Sequence, residues 1–531
     1  MAQPIVNGVG STKSKPGLQP IQTGNYPVIP DIYSSTSTTA GGITNPYDEI
    51  IPHPDKVHHR NLVLCFDGTG DQFDADSSNI VQFFSMLKRD DITQQMVYYQ
   101  SGIGTYTIPQ IAHPWDAWVR KKLDMMFGLH IDAHIMGGYE FLMQNFKTGD
   151  KIFIFGFSRG AYTARALAGM IHKIGLLPPC NRQQVPFAYK MYTREDDTGR
   201  KQSNKFKETF SVDVDIEFVG VWDTVCSVGI LSGRGLPFTA SNNHIRFFRH
   251  AISLDERRAR FKVNLWHRPT EEDHKKGIPK RTMPRHKTPS SQPQGDTTKS
   301  AKSDNSHKKS LNDLEGEFTD SDRPTDVEEV WFSGVHCDIG GGSILNDTRH
   351  ALARIPLRWM VRQCFILRTG ILFYKTMFKD IGLDPDTLYP DVLPRPAPVP
   401  YTSDCLARKY KDPINFAKND GVTVKMEEAF INEEEEDLLD ALTPIYDQLK
   451  LEKGWWILEV LPYTHHFQKE DDTWTHTQSI NFGRPRIILN QSKLGVKVHR
   501  SVKTRMDVEK LFKDKDYFAA AKWDVEPTWV D

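Results

Sequence analysis

Ser158 stands between two glycines in Gly156-Phe157-Ser158-Arg159-Gly160, Asp223 closes the apolar run of "VDIEFVGVWDTV", and His336 follows that of "VEEVWFSGVHCDIGGG". These three types can form a nucleophilic relay. A serine hydroxyl attacks poorly at neutral pH unless a histidine takes its proton, and an acid must then fix the histidine's tautomer and stabilise the imidazolium. The relay would need no metal and no cofactor, and it would pass through a covalent acyl-enzyme.

The pattern G-x-S-x-G works as a nucleophile elbow only when a strand precedes the serine and a helix follows it. Both are legible. Lys151 to Phe155, "KIFIF", is a short apolar run suited to a buried parallel strand, and Thr148-Gly149-Asp150 before it is a turn signal. From Ala161 onward, Ala164, Leu167, Ala168, Ile171 and Ile174 recur at helical spacing until Gly175, Pro178 and Pro179 stop the pattern. The competing reading is a glycine-softened turn whose serine caps the next helix.

The elements that would position the other groups alternate in the same way. Asn61 to Phe66 reads as a strand, about 78–89 as a helix, Met96 to Gln100 as a strand, and about 115–126 and 132–146 as helices. Strands about 214–221 and 327–333 precede Asp223 and His336. This alternation predicts an α/β fold, a doubly wound, mainly parallel sheet with insertions, whose active groups lie at the carboxyl ends of strands.

The first such end holds Asp67-Gly68-Thr69-Gly70. Gly68 or Thr69 could aim a backbone N–H at a reacting oxygen, with the Arg159 N–H as the other half of an oxyanion hole. Asp67 could equally serve as a cap or turn residue. A phosphatase chemistry built on D-G-T would need a nucleophilic aspartate two positions earlier, where this chain has Cys65. Asp223 as a turn residue and His336 as a structural histidine are the corresponding alternatives. Asp338 competes as the acid, and His465, His466, His476 and His499 compete as bases. The clustered histidines lack a metal-ligand spacing.

The 531 residues suffice for a large core, and a net charge of −1 gives no global reason to expect nucleic acid. Cys65, Cys180, Cys226, Cys337, Cys364 and Cys405 form no C-x-x-C pair, which fits a reduced, cytoplasmic compartment better than a disulfide framework. Residues 1–56 and about 268–326 are polar, rich in turn formers or charge, and read as a disordered tail and a disordered insertion. The basic first half of the insertion leaves room for contact with acidic lipid or a partner. Trp359 to Phe378 is the most apolar stretch, but Arg362, Arg368 and Lys375 interrupt it, so it reads as a buried helix pair, with an interfacial lid as the alternative. Glu433 to Asp437 reads as the solvated start of a helix.

"LVLCFDGTG", "YYQSGIGT", "GDKIFIFGFSRGAYTARALAGMI", "GVWDTV" and "WFSGVHCDIGGG" together resemble the uncharacterised α/β-hydrolase family that includes the catalytic domain of bacterial type VI secretion phospholipase effectors. The resemblance runs from about 60 to 365, and Cys337 departs from the serine of the family's "GVHSD". It implies a serine ester hydrolase with Ser158, Asp223 and His336 as the triad, acting on a small-molecule or lipid ester, with phospholipid acyl esters as the family's best-known substrate class. It leaves room for peripheral membrane contact. Peptide cleavage by the same triad and a catalytically silent fold used for binding are the rival functions. The domain would span 57–365, with 366–531 as a C-terminal cap or completing subdomain whose aromatic stretches, "GWWILEVLPYTHHF" among them, could line an acyl pocket. Deleting about 270–322 is expected to leave solubility and the thermal melt nearly unchanged, since a polar segment contributes little core. Loss of soluble protein would show that the segment packs.

Overall fold

In the computed structural model, described residues are 49–68, 75–102, 131–194, 196–225, 236–242, 244–267, 324–400, 430, 432–469, 474–512 and 517–531. The stretches expected to form the helix at about 115–126, the tail up to residue 48 and the insertion over 268–323 lie outside them.

Eight strands form the main sheet: β1 (Asn61–Phe66), β2 (Gln95–Gln100), β3 (Lys151–Phe157), β4 (Ile216–Trp222), β5 (Ile245–Ser253), β6 (Asp326–Phe332), β7 (Lys497–His499) and β8 (Thr528–Val530). Their spatial order is β8-β7-β6-β5-β4-β3-β1-β2, and every described pair is parallel. The inner strands are apolar almost throughout because both faces are covered. Leu62, Leu64, Phe66, Ile152 and Ile154 point to one core, against α2 (Ile131–Asn145) and α3 (Ser158–Ile174). Val63, Cys65, Phe153, Phe155 and Phe157 point to the other, against α1 (Asn79–Met86) and α5 (Arg354–Ile366).

The order places β1 between β2 and β3, so the chain reverses its direction of travel across the sheet there. Such a reversal leaves a crevice at the carboxyl ends of the strands on either side. Asp67 follows β1 and Ser158 follows β3. Asp223 follows β4 directly, and the five-residue helix α4 (His336–Gly340) begins just beyond β6. The doubly wound fold read from the alternation of runs is the observed one.

Several local expectations differ from what is observed. Ile50–Ile51, within the stretch read as a tail, pairs antiparallel with Phe373–Tyr374, and both isoleucines are buried. Two apolar residues in a polar window were too weak a signal to register. The apolar stretch from Trp359 is one helix, not a pair: α5 stops at Ile366, the chain turns through Arg368 and Gly370 at φ of 49° and 81°, and then enters that small strand. Among the described residues no helix is long and apolar enough to cross a membrane.

The acidic run does begin a helix, α6 (Glu433–Ala441), capped by Asn432, whose side chain accepts from the Glu435 N–H. It is not solvated. Glu433, Glu436, Asp437 and Asp440 are buried, facing guanidiniums from α5 and from Arg395. Arg358 donates to Asp437 Oδ1 at 2.6 Å and lies 2.7 Å from Asp440 Oδ2, while Arg354 reaches Glu436 at 2.8 Å. Helix α6 in turn packs Leu438 and Leu442 against Val508 of α7 (Arg500–Phe512). Arg358→Met should therefore strand buried carboxylates and cost about 3–5 kcal/mol, read as a lower denaturation midpoint. An unchanged midpoint would mean that Arg354 and Arg395 carry the cluster without it.

Candidate active site

The elbow is built by close packing. A Cβ at Gly156 would lie 2.5 Å from the Gly160 carbonyl oxygen and 2.7 Å from the Ala161 backbone, so β3 and α3 can meet at this angle only without it. A Cβ at Gly160 would lie 2.3 Å from the Phe66 carbonyl oxygen and 2.4 Å from that of Asp67, so the helix start also sits directly on the end of β1. Between them Ser158 takes φ of 58°, a left-handed conformation that costs a non-glycine residue about 1–3 kcal/mol unless its surroundings impose it. Phe157 is the residue before the helix, and Ser158 is its first residue rather than its cap.

Ser158 Oγ lies 2.7 Å from His336 Nε2, and His336 Nδ1 lies 2.5 Å from Asp223 Oδ2. All three side chains are buried. With an ionised carboxylate at Nδ1, that nitrogen carries the proton and Nε2 accepts from the serine hydroxyl. The imidazole packs against two rings, Phe157 and Phe261, each with its centroid 4.8 Å away. Gly340 makes room for the Phe157 ring, which would lie 1.9 Å from a Cβ at that position. The His336 backbone N–H donates to Glu256 Oε2 at 3.2 Å, and Glu256 is paired with Arg258 at 2.8 Å.

Burial is the largest influence on His336 and lowers its pKa below the ordinary 6.5, against the opposing pull of Asp223. The imidazole is thus neutral at neutral pH and able to take a proton. Burial alone would raise Asp223, but the Arg486 guanidinium, joined by the hydrogen bond from His336, holds its carboxyl well below the usual range. Asp223 adopts φ of 41°, its backbone N–H donates to the Ala251 carbonyl at 2.8 Å, and its Oδ1 accepts from the Ser253 N–H at 2.9 Å.

The remaining expected residues fall as follows. Asp67 Oδ1 accepts from Ser78 Oγ at 2.5 Å and from the Gly68 N–H at 2.8 Å, and Oδ2 accepts from the Tyr99 hydroxyl at 2.8 Å. It thereby ties the end of β1 to β2 and to the cap of α1. Thr69 lies outside the described residues. Arg159 occupies the first turn of α3, and its buried guanidinium is lowered to about 10 by burial and by Arg258. Asp338 accepts from the Val335 and Tyr446 N–H groups at 2.9 and 3.2 Å, and burial pushes it up to about 7. Its bonds shape the turn before α4.

His499 ends β7 in the main sheet rather than in a separate cap; it stacks on Phe332 at 4.9 Å, and Nδ1 lies 2.8 Å from Ser501 Oγ. Burial drives its pKa down to about 3. The side chains of His465, His466 and His476 lie outside the described ones. Among the described residues one group, His350, Glu436 and Asp440, gathers potential metal ligands within 4.8 Å, but Arg354 and Arg358 already neutralise its carboxylates. Sequence reading missed Arg486, Ser253, Glu256 and Arg258. Arg486 left no signal near the serine, being 263 residues from Asp223.

Comparison with known proteins bears on what this arrangement is for. Residues 60–363, more than half of the chain, match the family model described as T6SS, phospholipase effector Tle1-like, catalytic domain. The chain is 29% identical over 562 aligned positions to the uncharacterized protein YEL023C of Saccharomyces cerevisiae, covering 86% of this chain and 80% of that protein. Among solved structures it is similar, with a TM-score of 0.30 and 16% identity, to an uncharacterized protein from Pseudomonas aeruginosa, over 72% of this chain and 53% of that one. It is also similar to the Tle1 effector bound to the VgrG spike of the Type 6 secretion system, with a TM-score of 0.25 and 16% identity, over 55% of this chain and 52% of that one. The chain thus spans about half the length of these two solved structures. The family match, which covers the whole stretch from β1 through α4, decides the assignment: the chain belongs to the Tle1-like phospholipase effector catalytic domain family, whose chemistry is hydrolysis of the lipase and phospholipase type.

Proposed function

We propose that this protein is a serine ester hydrolase that cleaves carboxylic esters, phospholipid acyl esters in particular. The observation that carries the reading is the unbroken relay from Ser158 Oγ through His336 to Asp223, at 2.7 and 2.5 Å, on a serine held at positive φ. In this reading Ser158 Oγ attacks the ester carbonyl as His336 Nε2 takes its proton. His336 then returns the proton to the leaving alkoxide, which departs as an alcohol or a lysophospholipid. Water, deprotonated by the same nitrogen, then attacks the acyl-enzyme carbonyl, and His336 gives that proton to Ser158 Oγ as the ester bond breaks and the fatty acid leaves.

The developing oxyanion needs two N–H donors. The Arg159 amide, in the first turn of α3, supplies one. The Asp67–Gly68 turn, pressed against Gly160, supplies the other once the substrate oxygen takes the place of Asp67 Oδ1 on the Gly68 amide. The membership in a phospholipase family supports a lipid ester over a peptide.

A fluorophosphonate probe should label the folded protein at Ser158, read by peptide mass spectrometry, and no labelling would favour a silent binding fold. Ser158→Ala and His336→Ala should each lower kcat by about 10⁴–10⁶, with the double variant hardly worse, and Asp223→Asn by about 10⁴. His499→Ala should keep most of the activity, because its ring nitrogen is committed to Ser501. If folded His336→Ala stays active while His499→Ala does not, the assignment of the base is wrong.

Only the neutral imidazole can act as base, and burial lowers its proton affinity, so the acid limb of activity should lie below the ordinary histidine value of about 6.5. An acid limb of kcat/KM centred above 7 would contradict the geometry.

A further inference from the structure

Asp223 is bound on one side by His336 and on the other by a guanidinium that comes from far along the chain. Arg486 lies in the irregular stretch that follows the strand Trp474–Ile480, beyond the family-matched residues. Its Nη1 lies 2.5 Å from Asp223 Oδ1 and its Nη2 2.8 Å from Oδ2, and its side chain is 1% exposed. The guanidinium is itself fixed. Nη1 donates to Ser253 Oγ at 2.8 Å, and Nε and Nη2 donate to the Phe261 carbonyl at 3.0 and 2.5 Å. Phe261 is the residue whose ring packs edge-on to His336.

We propose that Arg486 is a positioning residue for the Asp223–His336 pair, so that the segment beyond residue 366 completes the catalytic site. This rests on the Ser158, His336, Asp223 reading of the function. A planar fork on both carboxylate oxygens fixes the orientation of Asp223, which a single ammonium cannot do. It also sets a fixed positive charge against a carboxylate whose other neighbour, the imidazole, is neutral. Without it, Asp223, which has no exposure to water, would face the imidazole with no guanidinium on its oxygens. The pair would then bind a proton more tightly, whichever member held it.

The other charged and titratable groups around the pair are Glu256 at the His336 N–H, Arg258 on Glu256, Arg159 beside Arg258, Lys262 beside Arg486, and His250, whose Nε2 accepts from the Thr224 N–H at 3.1 Å. None of them is changed in a variant that replaces Arg486 alone.

The test uses the full chain with Arg486→Met, Arg486→Lys and Ser158→Ala, hydrolysis of para-nitrophenyl butyrate from about pH 5 to about pH 9, and a thermal melt of each. Arg486→Met should lower kcat by at least about tenfold and move the acid limb up by about one pH unit. Arg486→Lys, which keeps the charge and loses the fork, should keep the limb and lose kcat. A folded methionine variant with the wild-type limb would reduce Arg486 to a structural role and overturn the proposal. Should that variant not fold, a lysine variant with wild-type kcat would overturn it as well. Wild-type rates in Ser158→Ala would instead bring down the functional reading, and the role of Arg486 with it.

Discussion

An ionised carboxylate with no exposure to water must be matched by fixed charge and hydrogen bonds, and much of the site follows from how Asp223 is matched. Desolvating an unpaired carboxylate costs several kcal/mol, enough to drive a proton onto it. Here the Ser253 N–H, the Arg486 fork and the His336 Nδ1–H converge on its two oxygens. Each donor arrives from a different part of the chain: β5, the stretch after Ile480, and the helix beyond β6. The carboxylate is therefore both costly to bury and a point at which these three segments meet.

The sheet makes that convergence possible. Parallel strands all end on one side, so residues that follow β1, β3, β4 and β6 meet at one edge although hundreds of positions separate them. Close approach does the rest. Gly156 and Gly160 let α3 press onto the ends of β3 and β1, and Gly340 leaves room for Phe157 beside the imidazole. The strain of Ser158 at positive φ is held by this packing, and that of Asp223 by its hydrogen bonds to Ala251 and Ser253.

A second set of buried charges does for the scaffold what Arg486 does for the site. Arg354, Arg358 and Arg395 neutralise the acidic face of α6 and so join α5, which covers one face of the sheet, to the C-terminal segment. Such pairs add little net stability over an apolar contact of the same size, but they penalise any arrangement that leaves one partner alone. The same C-terminal segment carries Arg486 to Asp223.

The amino-acid sequence by itself was sufficient for whatever depends on near neighbours. The apolar runs of β1, β3 and β4, the helix after Ser158 and the doubly wound sheet were legible because strand burial and helical periodicity are written within windows of ten or so residues. Ser158, Asp223 and His336 were legible for a related reason: each sits within four residues of a predicted strand end, and parallel strand ends must meet. The solvated reading of Glu433 to Asp437 failed because an acidic run looks the same whether it faces water or guanidiniums, and the arginines that decide it lie far upstream or in a separate loop. The break after Ile366 turned on a two-residue strand whose partner is Ile50–Ile51. Only the tertiary structure could decide that Asp67 holds its own turn, that Asp338 belongs to the backbone before α4, and that His499 stacks in the sheet. Arg486 is the plainest case, since no local pattern marks an arginine whose partner lies 263 residues away, and its role exists only once the fold has brought the two charges together.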